Sequence, residues 1–449
     1  MLISIKEVYQ SAEKLSQLEK IKVGGWVKSI RQSKKVSFLT LNDGSSLANL
    51  QVVFTSDLTE KLIEVSFGSS LVVNGKLILT PNREQSCELQ VQEIEFVNST
   101  GENYPLQKKS LPLELVRNFP HLRAKTNYFL ALFRLRHSVS KAIHDFFHQE
   151  GFYYVSTPII TSNDAEGAGE LFNIITNEKE PFFDKPAKLT VSGQLQAEAL
   201  AQGLGKVYTF APCFRAEKSH TTRHLAEFWM IEPEMIFTDL NGIINLAERL
   251  IKYVVNYVLA NNNLELKFLE NYEENKEITS RLKKIVNEEL KKIDYDEAIK
   301  ILEKNKNRFV FSNIKWGIDL QSEHEKYLCQ YFGNHPVFVL NYPSEIKAFY
   351  MKNNEDGKTV AGFDLLFPEI GELIGGSMRE DNYQTLVKKA QKIGLDTDNL
   401  SWYFDLRKYG YAPSGGFGLG LERLIMFISG TENIRDTLPF PRYPKHLEF

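Results

Sequence analysis

Two segments far apart in this chain constrain its fold more than any other feature. One is Phe214-Arg215-Ala216-Glu217, followed after a short polar loop by Arg223-His224-Leu225-Ala226-Glu227-Phe228; the other is Gly416-Phe417-Gly418-Leu419-Gly420-Leu421-Glu422-Arg423. Side chains alternate along a strand, so the first segment predicts Phe210, Pro212 and Phe214 on one face and Cys213, Arg215 and Glu217 on the other. One wall of that hairpin is then buried and the opposite wall charged, as a site for a charged ligand requires. Gly416, Gly418 and Gly420 remove side chains where a strand runs into a helix, so a planar ligand can approach the backbone while Arg423 reaches over it.

The remainder of the 449 residues reads as two or three domains. Residues 1–105 carry short strands at 21–30, 36–41, 47–54, 70–80 and 88–97, with Asn42-Asp43-Gly44 and Thr80-Pro81-Asn82 as turns. Five strands of this length suit a small barrel of the OB type, which commonly binds single-stranded nucleic acid. Residues 106–125, bounded and interrupted by Pro105, Pro112 and Pro120, read as a linker. The rest, 126–449, opens with a helix from Asn127 whose Phe129, Leu132, Phe133, Val139, Ile143, Phe146 and Phe147 lie near one face, and Gly151 caps it. A strand over 152–158 stops at Pro158. Residues of about 240–306 read as a charged helical insertion with a solvated face. Strands resume at 336–340, 346–351 and 359–366.

Composition excludes little. A net charge of −3 gives no global basic field, so any nucleic-acid contact must come from local patches. Cys87, Cys213 and Cys329 are too scattered for a metal set or a redox pair and read as buried, reduced thiols. The absence of a long apolar run and of a secretory leader pattern predicts a cytoplasmic protein without membrane contact.

Together, the arginine-bearing hairpin and the glycine-rich strand resemble motifs 2 and 3 of the class II aminoacyl-tRNA synthetases, and the helix, strand and Pro158 resemble motif 1, which packs across a homodimer interface in that family. The resemblance implies an α+β fold, an N-terminal OB-fold β-barrel plus a class II catalytic domain built on an antiparallel sheet flanked by helices. It implies ATP as substrate and Mg²⁺ as cofactor. Arg215 and Arg423 take the catalytic positions: Arg215 meets the α-phosphate and the substrate carboxylate. Arg223 and His224 belong to the loop that holds the distal phosphates, and Glu217 completes that loop. Phe228 and Arg423 sandwich the adenine by stacking and cation–π contact. Asp364 and Glu372 match the acidic positions that hold Mg²⁺, with Glu369 as the alternative to Asp364. Gly375 and Gly376 open room for the amino acid, and Arg379 grips its side-chain oxygen.

The pocket for the amino acid is read from a departure. Aspartyl enzymes carry Ser-Pro-Gln-x-x-Lys, whereas this chain has Ser192-Gly193-Gln194-Leu195-Gln196-Ala197, so the lysine is absent. Without it, Glu232 is expected to be free to accept from an amide NH₂, with Gln194 also at the amino acid. The runs 341–351 and 439–444 resemble bacterial asparaginyl-tRNA synthetases, in which a glutamate on a mobile loop, here Glu166 with Glu170 as a second candidate, meets the substrate α-amino group. In the barrel, Phe38 and Gln51 take the positions that read the central anticodon base, a uridine, and Arg31, Lys34 and Lys35 supply backbone charge. The expected activity is asparagine–tRNA ligation, with asparagine, ATP and tRNA(Asn) as partners of a homodimer. The rivals are an aspartate–tRNA ligase of relaxed tRNA choice, a non-catalytic RNA-binding paralogue and an amino-acid ligase that ignores tRNA.

Overall fold

The computed structural model describes all residues except 34, 84, 107–110, 164–170, 177–181, 219–220, 273–276 and 449. The chain divides into two compact units, Met1–Arg134 and Leu135–Phe449.

The first unit is a closed five-stranded barrel of β1 (Ile21–Arg31), β2 (Val36–Asn42), β3 (Leu50–Thr55), β4 (Ser70–Leu79) and β5 (Cys87–Asn98), in the order β1-β2-β3-β5-β4. The alternation that marks these segments is the one that fills it: Leu71, Val73 and Leu77 of β4 and Leu39 and Leu41 of β2 point inward and are buried. Ile5 and Val8 join the same core from a short N-terminal helix that sequence reading did not anticipate. Ser4 caps that helix by accepting from the Glu7 amide, and the Asp43 carboxylate accepts from the Ile5 amide. Strand β3 begins at Leu50 rather than Leu47. The reason is Asn42, whose side chain donates to the carbonyls of Ser46 and Ala48 and so holds the intervening residues as a loop.

The stretch expected as a plain linker contains two short helices, Leu113–Arg117 and Pro120–Arg123. Proline starts these helices instead of blocking them, with Pro112 at an N-cap and Pro120 in the first turn, where its missing N–H has no helical partner to lose.

The 23-residue helix α1 (Asn127–Gln149) has the expected extent, and Gly151 follows it at φ +76°. The second unit is built on an eight-stranded sheet. Its strands are β6 (Tyr153–Tyr154), β7 (Lys206–Phe214), β8 (Glu227–Ile236), β9 (Lys291–Asp294), β10 (Val337–Leu340), β11 (Gly362–Phe367), β12 (Gly371–Met378) and β13 (Ser414–Gly420). Their order is β9-β10-β11-β12-β13-β8-β7-β6, antiparallel except for a parallel pair at each edge. The expected strand at 152–158 is only the two-residue β6. The expected strand at 346–351 does not form, since Ser344–Ile346 is a 3-10 turn and Met351 makes a single bridge to Arg379.

Helix α2 (Gln194–Leu204) packs on β7 and β8, and α3 (Leu240–Asn261) lies on the sheet near β12 and β13. The charged segment 240–306 is mostly helical and keeps a solvated face, but its other face is core: α3 buries Ile243, Ile244, Leu250, Ile251, Val254 and Val258, and β9 extends the sheet. Arg281, within the segment read as solvated, is also drawn inward. Its guanidinium lies 4.5 Å from the Phe427 ring centroid, donates to the Phe427 carbonyl and pairs with Glu369 at 3.2 Å.

Candidate active site

Three strands form the floor of the site. In β7–β8, Thr209 pairs with Glu232 and Phe214 with Glu227; β8 then pairs with β13, Met230 opposite Gly420 and Glu234 opposite Gly416. The expected alternation on β7 fails at its end, because Cys213 is buried and Phe214 only half-buried. The strand stops at Phe214, so Arg215 and Glu217 project from the loop that follows instead of from a charged strand face.

The three motif glycines do different work. A Cβ on Gly416 would lie 2.1 Å from the Pro233 carbonyl and 2.6 Å from the Glu234 carboxylate, so this glycine is demanded by packing against β8. A Cβ on Gly420 would meet nothing within 4 Å, and Gly418 faces only the end of Met230; these two border the cleft. Likewise Gly376 is filled by Phe363 and Phe417 and opens no room, while a Cβ on Gly375 would sit 2.8 Å from Glu372 Oε1 and 3.5 Å from Asp364 Oδ1.

One cleft collects Arg215, Glu217, Arg223, His224, Phe228, Glu372 and Arg423, the whole set predicted for ATP. Arg215 lies over the Phe228 ring at 5.3 Å from its centroid. Arg423, in the first turn of α4 (Leu421–Ser429), donates from Nη1 to the Glu372 carbonyl at 2.8 Å, and Arg223 donates to the Ile370 carbonyl. Glu422 also borders the cleft, but both its oxygens are already engaged. One of its oxygens accepts from Arg136 Nη1 and the other from the Trp229 amide, tying α1, β8 and α4 together behind the arginines. His224 contacts Thr221 Oγ1 at 2.5 Å. Its imidazole is held below the ordinary histidine range by burial first and by Arg423 next, with Arg223 and Arg215 adding to this and Glu217 opposing it.

The acidic residues divide. Glu372 faces the cleft. Asp364 is buried, and both its oxygens accept from Lys347 Nζ at 2.8 and 2.6 Å, so the pair expected at a metal includes one carboxylate already held by an ammonium. Glu369, the alternative, sits in a left-handed turn at φ +65° with its side chain 71% exposed, paired with Arg281. A carboxylate not anticipated from the sequence, Glu325, stands beside Glu372 instead. Its Oε2 accepts from the Glu372 amide at 3.1 Å, and burial, then the Glu372 charge, push its carboxyl up to about 7.

β8, the end of β12 and the start of α2 also carry a buried polar cluster. Arg379 donates to both oxygens of Glu234 and, through Nη1, to Ser377 Oγ at 2.7 Å. Glu232 is not free: Ser192 Oγ donates to Oε1, while the Gly193 amide and Thr209 Oγ1 donate to Oε2 at 3.0 and 3.1 Å. A carboxylate has about four acceptor positions, so one remains. Among the described residues, Gln194 Nε2 is a buried donor with no partner. Ala197 is fully buried with Ala201 and Val207. Glu234 had a signal in the sequence that was not used, because the period of a strand places residues 232 and 234 on the same face.

In the barrel, Phe38 is 39% exposed between buried Ser37 and Leu39. It pairs with Arg31 on one side and Val53 on the other, which puts Gln51, two residues from Val53, on the same outer face. Gln51 Nε2 donates to Glu88 at 3.0 Å. Lys35 is exposed, whereas Lys34, Glu166 and Glu170 lie outside the described residues. The three cysteines are buried and free, and no helix among the described residues is long and apolar enough to cross a membrane.

Comparison with known proteins places these features in one family. Residues 113–444 match tRNA synthetases class II (D, K and N), and residues 21–97 match the OB-fold nucleic acid binding domain. The asparagine–tRNA ligase of Mycoplasma mycoides is 49% identical over 100% of both chains, and that of Clostridium tetani is 46% identical over 100% of this chain and 99% of the relative. Among solved structures, asparaginyl-tRNA synthetase from Pyrococcus horikoshii complexed with asparaginyl-adenylate superimposes with a TM-score of 0.88 at 33% identity, covering 99% of each chain. With a cleft of arginines over a glycine-bordered antiparallel floor and a full-length likeness of this degree, the chain belongs to the class II tRNA synthetases of the D, K and N group.

Proposed function

We propose that this protein is an asparagine–tRNA ligase, which forms asparaginyl-AMP and pyrophosphate from asparagine and ATP and then passes the asparaginyl group to the 3′ end of tRNA(Asn). The observation that carries this reading is the convergence of Arg215, Arg223, Arg423 and His224 with Glu372 in one cleft, in a chain whose full-length relatives are asparagine–tRNA ligases. Adenylate formation brings two anions together, so the site must offset phosphate charge and hold both reactants in line. Arg215 binds the α-phosphate and the substrate carboxylate; Arg223 and His224 hold the distal phosphates, with Glu217 in the same loop. Adenine stacks between Phe228 and Arg423. The orphaned Gln194 amide, Arg379 and the remaining acceptor position of Glu232 face the amino acid. Glu166 and Glu170 remain the candidates for its α-amino group.

Mg²⁺ fits the cleft through Glu372, because the ion keeps several waters and binds phosphates with only one or two carboxylates. Both Glu372 and Asp364 converge on Gly375, but Asp364 would have to exchange Lys347 to join. When bound, the ion supplies charge neutralisation on the phosphates. In this reading the protein acts in the cytoplasm as a homodimer, with Tyr153 and Tyr154, exposed on edge strand β6, in the covered surface. Phe38, Gln51 and Arg31 contact the anticodon.

The test is amino-acid-dependent pyrophosphate exchange over the twenty amino acids, followed by charging of tRNA(Asn). Asparagine is expected to drive both steps, and exchange driven by aspartate but not asparagine overturns the assignment.

A further inference from the structure

The second unit buries an ion pair that none of the roles above uses. Glu198, on α2, is fully buried; its Oε1 accepts from Arg407 Nη2 at 2.5 Å and from the Tyr411 hydroxyl at 2.8 Å, and its Oε2 accepts from the Tyr403 hydroxyl at 2.6 Å. The Arg407 side chain is as buried as its partner. Such a pair is a poor source of stability, since desolvating both ions offsets their attraction and apolar residues of similar volume do as well or better. Its surroundings suggest what it does instead.

The network grips the backbone on both sides of Arg379. Arg407 Nε donates to the carbonyl of Glu380, the next residue, at 2.8 Å. Tyr411 bonds Ser414 Oγ at 2.6 Å, and the Ser414 carbonyl accepts from the Arg379 amide at 2.9 Å. Electrostatics link the groups as well. Three carboxylates, Glu198, Glu232 and Glu234, share this interior with two guanidiniums, Arg379 and Arg407, so the acids are in excess. That excess registers on Glu234: burial first pushes its carboxyl up, Arg379 opposes this, and the charges of Glu198 and Glu232 add to the rise.

We propose that Glu198 is a specificity-determining residue of the amino-acid site, its buried charge, held beside the Arg379–Glu234 pair by Arg407, disfavouring an anionic side chain where an amide is accepted. The inference rests on the asparagine reading and deepens it. Asparagine and aspartate have nearly the same shape and the same α-ammonium, which the acidic excess favours in both. Only aspartate brings a further carboxylate into an interior where acids already outnumber guanidiniums. Ala197, one residue earlier, is buried against apolar neighbours and supplies no charge of either sign, so Glu198 is the nearest residue of α2 able to do so.

The experiment is the ratio of kcat/KM for asparagine over aspartate in pyrophosphate exchange, measured for wild type, Glu198→Gln, Glu198→Asp and Arg407→Gln. Glu198→Gln keeps the shape and removes the charge; its ratio is expected to fall about tenfold or more, the reach of one unit charge through a protein interior. KM for ATP should stay within about twofold. Glu198→Asp, which keeps the charge, should stay closer to wild type, and Arg407→Gln, which removes the opposing cation, should move the ratio further from aspartate. A folded Glu198→Gln with an unchanged ratio, or with both amino acids losing activity alike, overturns the proposal. Should Glu198→Gln fail to fold, Arg407→Gln decides, and an unchanged ratio there overturns it. Wild-type enzyme that does not respond to asparagine sinks the ligase reading itself, which is a separate result.

Discussion

Lys347 donates to both oxygens of Asp364 on β11, at 2.8 and 2.6 Å, and the two side chains are largely buried, 16% and 10% exposed. Burial pushes the Asp364 carboxyl up even with that cation beside it. Lys347→Met should raise it further and leave an uncompensated buried acid, costing roughly 3–5 kcal/mol at pH 8. A carboxyl raised in the folded state contributes stability that is present below its unfolded value and lost as pH rises through the folded value. The deficit should therefore shrink as pH falls from 8 to 5. Thermal melts of wild type and variant across that range measure it, and a deficit independent of pH would show that Asp364 does not carry the charge.

Arg215→Ala removes a cation whose proposed partner gains charge in the transition state. The fold should survive, because Arg215 stands past the end of β7 at the mouth of the cleft. Turnover in asparagine-dependent exchange should fall by at least ~10²-fold. Near-normal turnover would place the phosphate site elsewhere.

His224 provides a proton-linked reading of the same cleft. In the absence of ligand its imidazole is held low by burial and by the arginines around it. Because the unfolded chain protonates first, this group costs stability as pH falls below the ordinary value of about 6.5. A bound triphosphate would reverse the local field and raise it. Near pH 6.5, ATP binding should take up protons, an effect visible in calorimetry as a dependence of the binding enthalpy on buffer ionisation heat. His224→Asn should abolish most of the uptake; full uptake in that variant would exclude the imidazole from the distal phosphate site.

The barrel predicts a separation of steps. Phe38 is substantially exposed on an otherwise alternating strand, so Phe38→Ala should change stability by less than about 0.5 kcal/mol. Stacking of one base is worth roughly 1–3 kcal/mol, which predicts a ~5- to 100-fold loss in charging of tRNA(Asn) with asparagine activation intact. Parallel loss of both steps would mean that Phe38 is structural.

What could be read from the sequence follows from how local each signal is. The barrel strands and α1 carry their own periodicity, and the two arginine- and glycine-bearing segments carry their own motif, so their positions needed no tertiary information. The failures are tertiary. Nothing near Asp364 in the sequence announces that Lys347 folds back onto it, and Glu325 meets Glu372 only because its helix, Ser322–Tyr331, packs on β12. Arg281 sits among alternating charges that look solvated, yet packing on Phe427 draws it inward. Glu232 was expected to be open because the missing lysine is visible in the sequence, whereas its occupancy by Ser192, Gly193 and Thr209 is a property of the fold.

The lysine missing at position 197 makes a final prediction. Ala197 packs on Val207; on that face of the hairpin Glu234 stands directly opposite Val207, and the Thr209–Glu232 pair lies two residues further along. A lysine there must lay its stem through the Ala201–Val207 cluster, an overpacking that costs typically 1–3 kcal/mol, before its ammonium reaches the carboxylates. If it pairs with Glu232, it competes with the Ser192 and Gly193 donors and offsets the acidic excess, so aspartate use should rise relative to asparagine use. Ala197→Lys is expected to melt at a lower temperature and to shift the ratio of kcat/KM in exchange toward aspartate. A folded, ATP-binding variant whose ratio does not move would show that the charge at 197 never reaches the side-chain pocket, and that selection against aspartate is set without this position.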